Sequence, residues 1–400
     1  MRAQRQGAGR PSWGAYAQDH ARVFEQATIE GHAVRATLLC AGVAAAARVN
    51  GDPRYRDAAV RLWENMVERR MHITGGVGAF AQEEKFGADY QLPADAYLET
   101  CAAVGAGFFH RNMNLLLGHA RYADELERIL YNGALSGVSL QGDTYLYTNP
   151  LESDPQRQRW AWHECPCCPP MFVKLMGAMP GYIYATGEDG VYVNLYVGSH
   201  ATIETRGGTM GLRQVCDYPW DGRIRVIVDQ APHGNTALML RIPSWCRGEN
   251  LRVNGSPVAT GERTRGYVRV ARRWKTGDVL DLDLPMPVEQ VAADPRVKST
   301  AGRVALTRGP LVYCFESADA QQAATIALNG VTFAPRRSAE LDGVVVLDGV
   351  AAAKAPPDTT TLYRQRGPSA LPCRRVTAIP YYANLNRGAV DMAVWLPLTT

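Results

Sequence analysis

Three cysteines and three prolines fall within six residues of His163-Glu164-Cys165-Pro166-Cys167-Cys168-Pro169-Pro170. Proline lacks an amide N–H, fixes φ and drives the preceding residue out of the helical region. The stretch is therefore expected to be a stiff loop that presents thiols, neither helix interior nor central strand. A disulfide between the adjacent Cys167 and Cys168 would be badly strained. Vicinal thiols in a preset frame suit a soft metal bound as thiolates. The other common use of a free cysteine, packing as a small hydrophobe, does not call for a proline frame.

Such a site needs further ligands, and Glu99-Thr100-Cys101 offers two. Residues two apart point in different directions on a helix, so Glu99 and Cys101 could share an ion only from a non-helical lead-in. Pro93 upstream makes that geometry reasonable. Glu99, Cys101, Cys167 and Cys168 would then form a set of three thiolates and one carboxylate suited to tetrahedral zinc. Spacing alone leaves a closed structural zinc and a catalytic one level.

Glu83 and Glu84, in a glycine-flanked loop with Asp89 and Tyr90 close behind, tip that balance. Paired glutamates are usually a solvated face. A carboxylic acid beside a metal-bound thiolate, however, supplies the acid and the nucleophile that glycosidic cleavage needs. His32 stands at the start of a helix, where a lone histidine more often caps or packs than binds. Tyr147, in Tyr145-Leu-Tyr-Thr-Asn-Pro-Leu151, could face either a cleft or a core.

At these residues the chain resembles glycoside hydrolase family 127, the β-L-arabinofuranosidases. The resemblance runs through Tyr16-Ala-Gln-Asp-His20, Gly31-His-Ala-Val-Arg-Ala36, Thr74-Gly-Gly-Val-Gly78, Glu84-Lys-Phe86, Leu92-Pro93 and Glu99-Thr-Cys-Ala102. It continues through Asn149-Pro-Leu151, Cys165-Pro-Cys-Cys-Pro-Pro170, Arg308-Gly-Pro-Leu-Val-Tyr-Cys314 and Ile379-Pro-Tyr-Tyr382. It implies an (α/α)6 toroid followed by β-sandwich domains, and retaining hydrolysis by a zinc-bound cysteine. Carried over, Cys167 is the nucleophile, with Glu99, Cys101 and Cys168 completing the zinc shell. Glu84 is the acid/base, Glu83 the fallback, and His32 and Tyr147 hold the sugar. The substrate so implied is an arabinose-containing oligosaccharide or glycoconjugate. Two departures stand out. The family's ring begins long before its Gly-His-Ala-Val-Arg motif, so only part of a toroid, lacking its N-terminal hairpins, is expected here. Met171 also stands where the family usually has a polar residue.

The elements that must position these groups are helical first and β later. Helical spacing predicts helices over 28–49, from Pro53 onward, and from Thr100 toward Leu117. Gly51-Asp-Pro-Arg-Tyr55 and Gly118-His-Ala-Arg-Tyr122 begin a weak internal repeat of helical hairpins. Strands are expected at 191–197, 223–228, 236–242, 267–270, 279–285, 304–315 and 392–396, in antiparallel sandwich architecture. The expected fold is thus a multidomain α + β chain. Its parts are a helical toroid portion over 1–185, a β-sandwich over 186–295, and a further β domain or continuation of the sandwich over 296–400. Loops are expected at Ala318–Ala324 and Pro356–Pro357.

Composition bounds the function classes. The chain carries 43 basic and 39 acidic residues without a basic run, so neither nucleic acid nor a membrane surface is implied as a partner. The start, through Pro11, lacks the apolar core of a signal peptide, and no stretch is expected to span a bilayer. Nine unevenly spaced cysteines suit a reducing compartment, so a cytoplasmic location is expected. An incomplete ring would expose apolar helix faces and favour self-association, with a homodimer its simplest form. Two rival functions fit parts of the same pattern. One is a zinc-stabilised carbohydrate-binding or scaffold remnant without catalysis. The other is a sugar epimerase, whose paired basic histidines the spacing of His32, His72, His110 and His163 does not supply.

Overall fold

Two helical hairpins of the same plan build the first part of the chain. The computed structural model describes residues 13–316, 326–328, 330–353 and 373–398. The leader reading through Pro11 and the loops expected at Ala318–Ala324 and Pro356–Pro357 lie outside these. In the first hairpin α1 (Ala33–Asn50) ends at Gly51 with φ 67°, and Asp52 caps α2 (Pro53–Asn65) by accepting the Arg54 amide at 2.9 Å. In the second, α3 (Thr100–Leu117) ends at Gly118 with φ 61°, and His119 Nδ1 caps α4 (Ala120–Arg128) by accepting the Arg121 amide at 3.1 Å. Both second helices then widen into a π-helical turn, at Met66–Arg70 and Ile129–Ala134. The repeat seen in the sequence is therefore a structural one.

The hairpins meet through α1 and α3. Small residues let the helices approach closely: a Cβ at Gly105 would come within 2.3 Å of Thr37 Oγ1. The interior around them includes Ala36, Ala44, Leu62, Trp63, Val104, Phe109 and Tyr122, all buried. By length and composition alone α1 could cross a membrane, contrary to the sequence expectation. Eight of its residues are buried in this structure, from Ala33 to Ala47, while Leu38, Leu39 and Val49 lie on its exposed side. Helix α1 starts five residues later than its apolar pattern suggests, because Gly31 adopts φ 74° and His32 is extended.

Beyond α5 (Cys168–Ala178) the chain turns to β-structure at Tyr184. Strands 267–273, 235–241, 190–193 and 184–187 form one sheet. A second runs in the order 199–205, 208–216, 223–230, 279–283, 250–253 and 256–258. Pairing is antiparallel apart from 191–193, which runs parallel to 238–240. Leu212, Val226, Leu240, Leu280 and Trp274 are among the buried residues of the core these sheets share. The stretch expected as one strand over 304–315 is a hairpin, Arg303–Arg308 and Leu311–Glu316, because Gly309 takes φ 56° and Pro310 follows it. The strand Val288–Val291 pairs with this hairpin in a third sheet, which also contains Val345–Ala353 and Cys373–Pro380.

A buried ion network and a strand pairing are among the contacts that tie the β-structure to the first part of the chain. Arg241 is fully buried and binds Asp124 at 2.7 Å and Glu127 at 2.5 Å, both on α4. Tyr218 Oη and Trp245 Nε1 donate to the same Glu127 carboxylate at 2.6 and 3.2 Å. On the other side Glu152–Ser153, from the segment that leads to the thiols, adds to the third sheet against Met392–Ala393. A buried charge left without its partner is strongly destabilising. Arg241→Ala should therefore lower unfolding stability by about 3–5 kcal/mol, read as a shifted urea midpoint; an unchanged midpoint would show that the network does not hold the two parts together.

Candidate active site

Gly31 places His32. A Cβ there would lie 1.7 Å from the Ala15 carbonyl oxygen, so only glycine fits. The Phe86 amide donates to the Gly31 carbonyl at 3.1 Å, and His32 forms a β-bridge with Lys85. This brings the two glutamates alongside. Both take left-handed backbone, Glu83 at φ 59° and Glu84 at φ 49°, a conformation that side-chain-bearing residues adopt at a cost. The pair then diverges. Glu83 binds Lys85 Nζ at 2.8 Å and its side chain is 51% exposed. Glu84 turns inward, with Oε2 2.7 Å from His32 Nε2. Its Oε1 accepts from Tyr97 Oη at 2.9 Å and from Tyr147 Oη at 3.3 Å.

Glu99 is extended (φ −60°, ψ 135°) and immediately precedes α3, in which Cys101 is the second residue. This is the non-helical lead-in that joint ligation requires. Leu98, at φ 42°, is the left-handed step before it, and its own side chain enters the core of the C-terminal sheet. The Thr100 amide donates to the Tyr147 carbonyl at 2.8 Å, and Asn149 Nδ2 donates to the Leu98 carbonyl and Thr100 Oγ1 at 3.1 and 2.9 Å. Tyr147 is thereby fixed beside the start of α3, buried with Cys101, Tyr145 and Cys168 while its Oη reaches Glu84.

The thiol stretch is only half loop. Cys167 is the residue before α5, and Cys168-Pro169-Pro170 form its first turn, where proline costs no helical hydrogen bond. The four expected ligands converge. Cys101 and Cys168 Sγ are 3.6 Å apart, Cys167 and Cys168 Sγ 3.8 Å, and Cys167 Sγ lies 3.4 Å from Glu99 Oε1. One ligand atom from each of the four lies within 4.8 Å of the others. Atoms of His32, Glu84 and Glu99 cluster equally closely, so Glu99 belongs to both groups.

Electrostatically the three thiols bear on one another's protonation. Hydrogen bonds from Cys101 and Cys168 pull Cys167 well below the ordinary thiol value, against the effect of burial. Cys101 is raised by hydrogen bonding to Cys167, and Cys168 is also raised. Burial first, and the neighbouring Cys167 charge second, push Glu99 up to about 8. Its Oε2 is buried and has no hydrogen-bond partner. An orphaned carboxylate oxygen beside three converging sulfurs is what a soft cation would satisfy, so the residues fit a metal. Burial lowers His32, with Glu84 opposing it.

Further residues pack around the site without a role assigned from the sequence. Tyr97 holds Glu84, and burial raises its phenol. The Tyr16 ring packs edge-on against His32 at 5.5 Å, with the Arg35 guanidinium 4.6 Å from the Tyr16 centroid. Trp160 stacks on His163 at 4.1 Å, and His163 in turn lies 5.5 Å from the Tyr147 ring. Met171 packs on the cluster formed by Cys101, Tyr145, Tyr147 and Cys168. Aromatic residues at such positions read as core in a sequence, and only the chemistry of their neighbours separates them from it.

The sequence matches three family models in succession. These are the GH127 catalytic domain of β-L-arabinofuranosidase over residues 3–181, its GH127 middle domain over 190–286, and the glycoside hydrolase family 127 C-terminal domain over 288–397. The non-reducing end β-L-arabinofuranosidase of Bifidobacterium longum subsp. longum is 39% identical over 322 residues, which cover 76% of this chain and 48% of that protein. The chain thus spans about half the length of that curated relative. Among solved structures, a GH127 β-L-arabinofuranosidase from Geobacillus stearothermophilus T6 is 38% identical with a TM-score of 0.90, covering 100% of this chain and 66% of that one. A structure described as a glycoside hydrolase is 34% identical with a TM-score of 0.90, covering 97% and 70%.

The depressed Cys167 thiol has a direct chemical consequence. A thiol whose folded value lies below the ordinary one is already thiolate at a pH where ordinary thiols are protonated, and the thiolate is what alkylates. In chelator-treated protein at pH 6, iodoacetamide should modify Cys167 well ahead of Cys40, which burial pushes up to about 12. Peptide mass spectrometry reads the order, and equal labelling of the two would contradict the depressed Cys167.

Proposed function

The chain belongs to glycoside hydrolase family 127, the β-L-arabinofuranosidase family, and on that footing we propose that it hydrolyses β-L-arabinofuranosides with retention of configuration. The observation that carries the proposal is the convergence on Glu99 of a thiol cluster from one side and a tethered glutamate from the other. Glu99, Cys101, Cys167 and Cys168 would hold zinc, in keeping with three sulfurs and one oxygen. The zinc would keep Cys167 deprotonated, and so nucleophilic, at neutral pH.

The protein's own groups then divide the work. Cys167 Sγ attacks the anomeric carbon as the bond to the leaving oxygen breaks, and Glu84 gives that oxygen its proton. A water then returns a proton to the Glu84 carboxylate and attacks the same carbon, releasing sulfur as thiolate. Two inversions give net retention. Glu84 rather than Glu83 takes this role, because Glu83 faces solvent on Lys85. The short Oε2–Nε2 hydrogen bond lets His32, whose charged form burial disfavours, either accept from the protonated acid or donate to its carboxylate. Tyr97 and Tyr147 donate to Oε1 and fix the plane of the carboxyl group. His32 and Tyr147 also border the space where the sugar ring would sit.

The two hairpins of equal plan, together with the likeness to GH127 structures, support reading the helical part as a portion of an (α/α)6 toroid. Nine unevenly spaced cysteines are in keeping with the cytoplasmic location expected from the sequence. The substrate would be an arabinose-containing oligosaccharide or glycoconjugate.

Substitutions test the roles. Cys167→Ser should abolish turnover, since an alcohol is a far weaker nucleophile than a metal-bound thiolate. Glu84→Gln should slow a substrate with a poor leaving group by roughly 10²–10⁴-fold. With an activated aryl arabinofuranoside it should form a pentose adduct on the Cys167 peptide, visible by mass spectrometry, and then stall. An active Cys167→Ser variant would remove the cysteine from the mechanism. A stall in Glu83→Gln instead would reverse the assignment within the pair.

A further inference from the structure

His163 has no part in the chemistry above, yet its ring is held by a hydrogen bond and a stacked neighbour. The Cys165 amide donates to its Nδ1 at 3.1 Å, which reserves that nitrogen as the acceptor and leaves the proton of the neutral ring on Nε2. One face of the ring lies on Trp160, nearly parallel at 9°, and Tyr147 packs at 52° to it. Trp160 is itself fixed, because its backbone exchanges hydrogen bonds of 2.9 and 2.8 Å with Tyr145. Trp162, two residues on, points away and is 72% exposed, so the inward turn of Trp160 and His163 is specific to those two rings. The result is an oriented imidazole with one polar edge uncommitted, next to the tyrosine that touches the acid.

We propose that His163 is a specificity residue for the leaving-group side of the substrate. Its Nε2–H donates to a hydroxyl or ring oxygen of the sugar that departs, and the Trp160 ring holds the imidazole in plane. The assignment rests on the arabinofuranosidase reading, because Glu84 marks where the leaving oxygen is. Tyr147 lies between that carboxyl and His163, touching both. A sugar leaving group offers oxygen acceptors to such a donor, and a nitrophenolate offers none in the same place. The chemistry recognised is therefore a polyhydroxylated leaving unit, a second pentose being the smallest that serves.

Two variants separate the donor from the stack. His163→Phe keeps an aromatic ring on Trp160 and loses the N–H; His163→Gln keeps an N–H and loses the stack. The readouts are kcat and KM on an arabinofuranosyl-arabinose disaccharide and on 4-nitrophenyl β-L-arabinofuranoside, with metal content measured alongside. His163→Phe should lose about 10-fold in kcat/KM on the disaccharide, mostly in KM, as expected for one lost hydrogen bond. On the aryl substrate it should stay within about 3-fold, and His163→Gln should recover part of the disaccharide loss. Equal losses on both substrates, no loss on either, or a fall in bound metal would overturn the proposal while leaving the hydrolase reading standing. Failure of the unsubstituted chain to cleave either substrate would overturn both.

Discussion

A buried carboxylate with nothing on one of its oxygens is an unstable arrangement, and much of this structure follows from it. Glu99 is 4% exposed, with Oε1 against the Cys167 sulfur and Oε2 unpaired. Taking an isolated carboxylate out of water costs several kcal/mol, so the group must either keep its proton or gain a cation. The raised Glu99 and the depressed Cys167 are two sides of that competition. A cation held by the four residues would resolve it by displacing the protons. A pair of neighbouring groups pushed in opposite directions is also a frequent mark of a working site.

Convergence of this kind cannot be local, and the three parts of the chain share the task. Glu84 comes from a loop, Glu99 and Cys101 from the start of α3, and Cys167 and Cys168 from the start of α5. The C-terminal sheet supplies the brace. Tyr381 Oη donates to the carbonyls of Asn149 and Pro150, and Arg159 donates to the Asn384 carbonyl at 2.8 Å. These bonds hold both ends of the segment that carries Tyr147 and Trp160. The left-handed residues Glu83, Glu84 and Leu98 lie around the same cleft. Strained backbone persists only where its surroundings over-determine it. The β-structure, remote in sequence, is thus part of the means by which the site keeps its shape.

The legible features were those with a local cause. The helices of both hairpins could be read because their caps are local: Gly51, Asp52-Pro53 and Gly118 each end or begin a helix by their own chemistry. The four converging residues could be named because thiols and a carboxylate at such spacing have few other uses. The choice between Glu83 and Glu84 could not be made from residue type, since it depends on two left-handed steps that send neighbouring side chains opposite ways. Tyr97 and Trp160 were invisible for a different reason: an aromatic ring has the same sequence signature beside a site as in a core. The pairing of Glu152–Ser153 with Met392–Ala393 is non-local and leaves no pattern at either end. The strands Val345–Ala353 and Cys373–Pro380 were missed because alanine, glycine and arginine interrupt their apolar alternation.

The central claim is that three sulfurs and one carboxylate oxygen share a single zinc ion. Zinc-edge X-ray absorption of the purified protein tests it without recourse to activity. The expected first shell is three sulfur scatterers at about 2.3 Å and one oxygen at about 2.0–2.2 Å, with one sulfur fewer in Cys168→Ala. A shell of nitrogen and oxygen alone, or one unchanged by that substitution, would contradict the account.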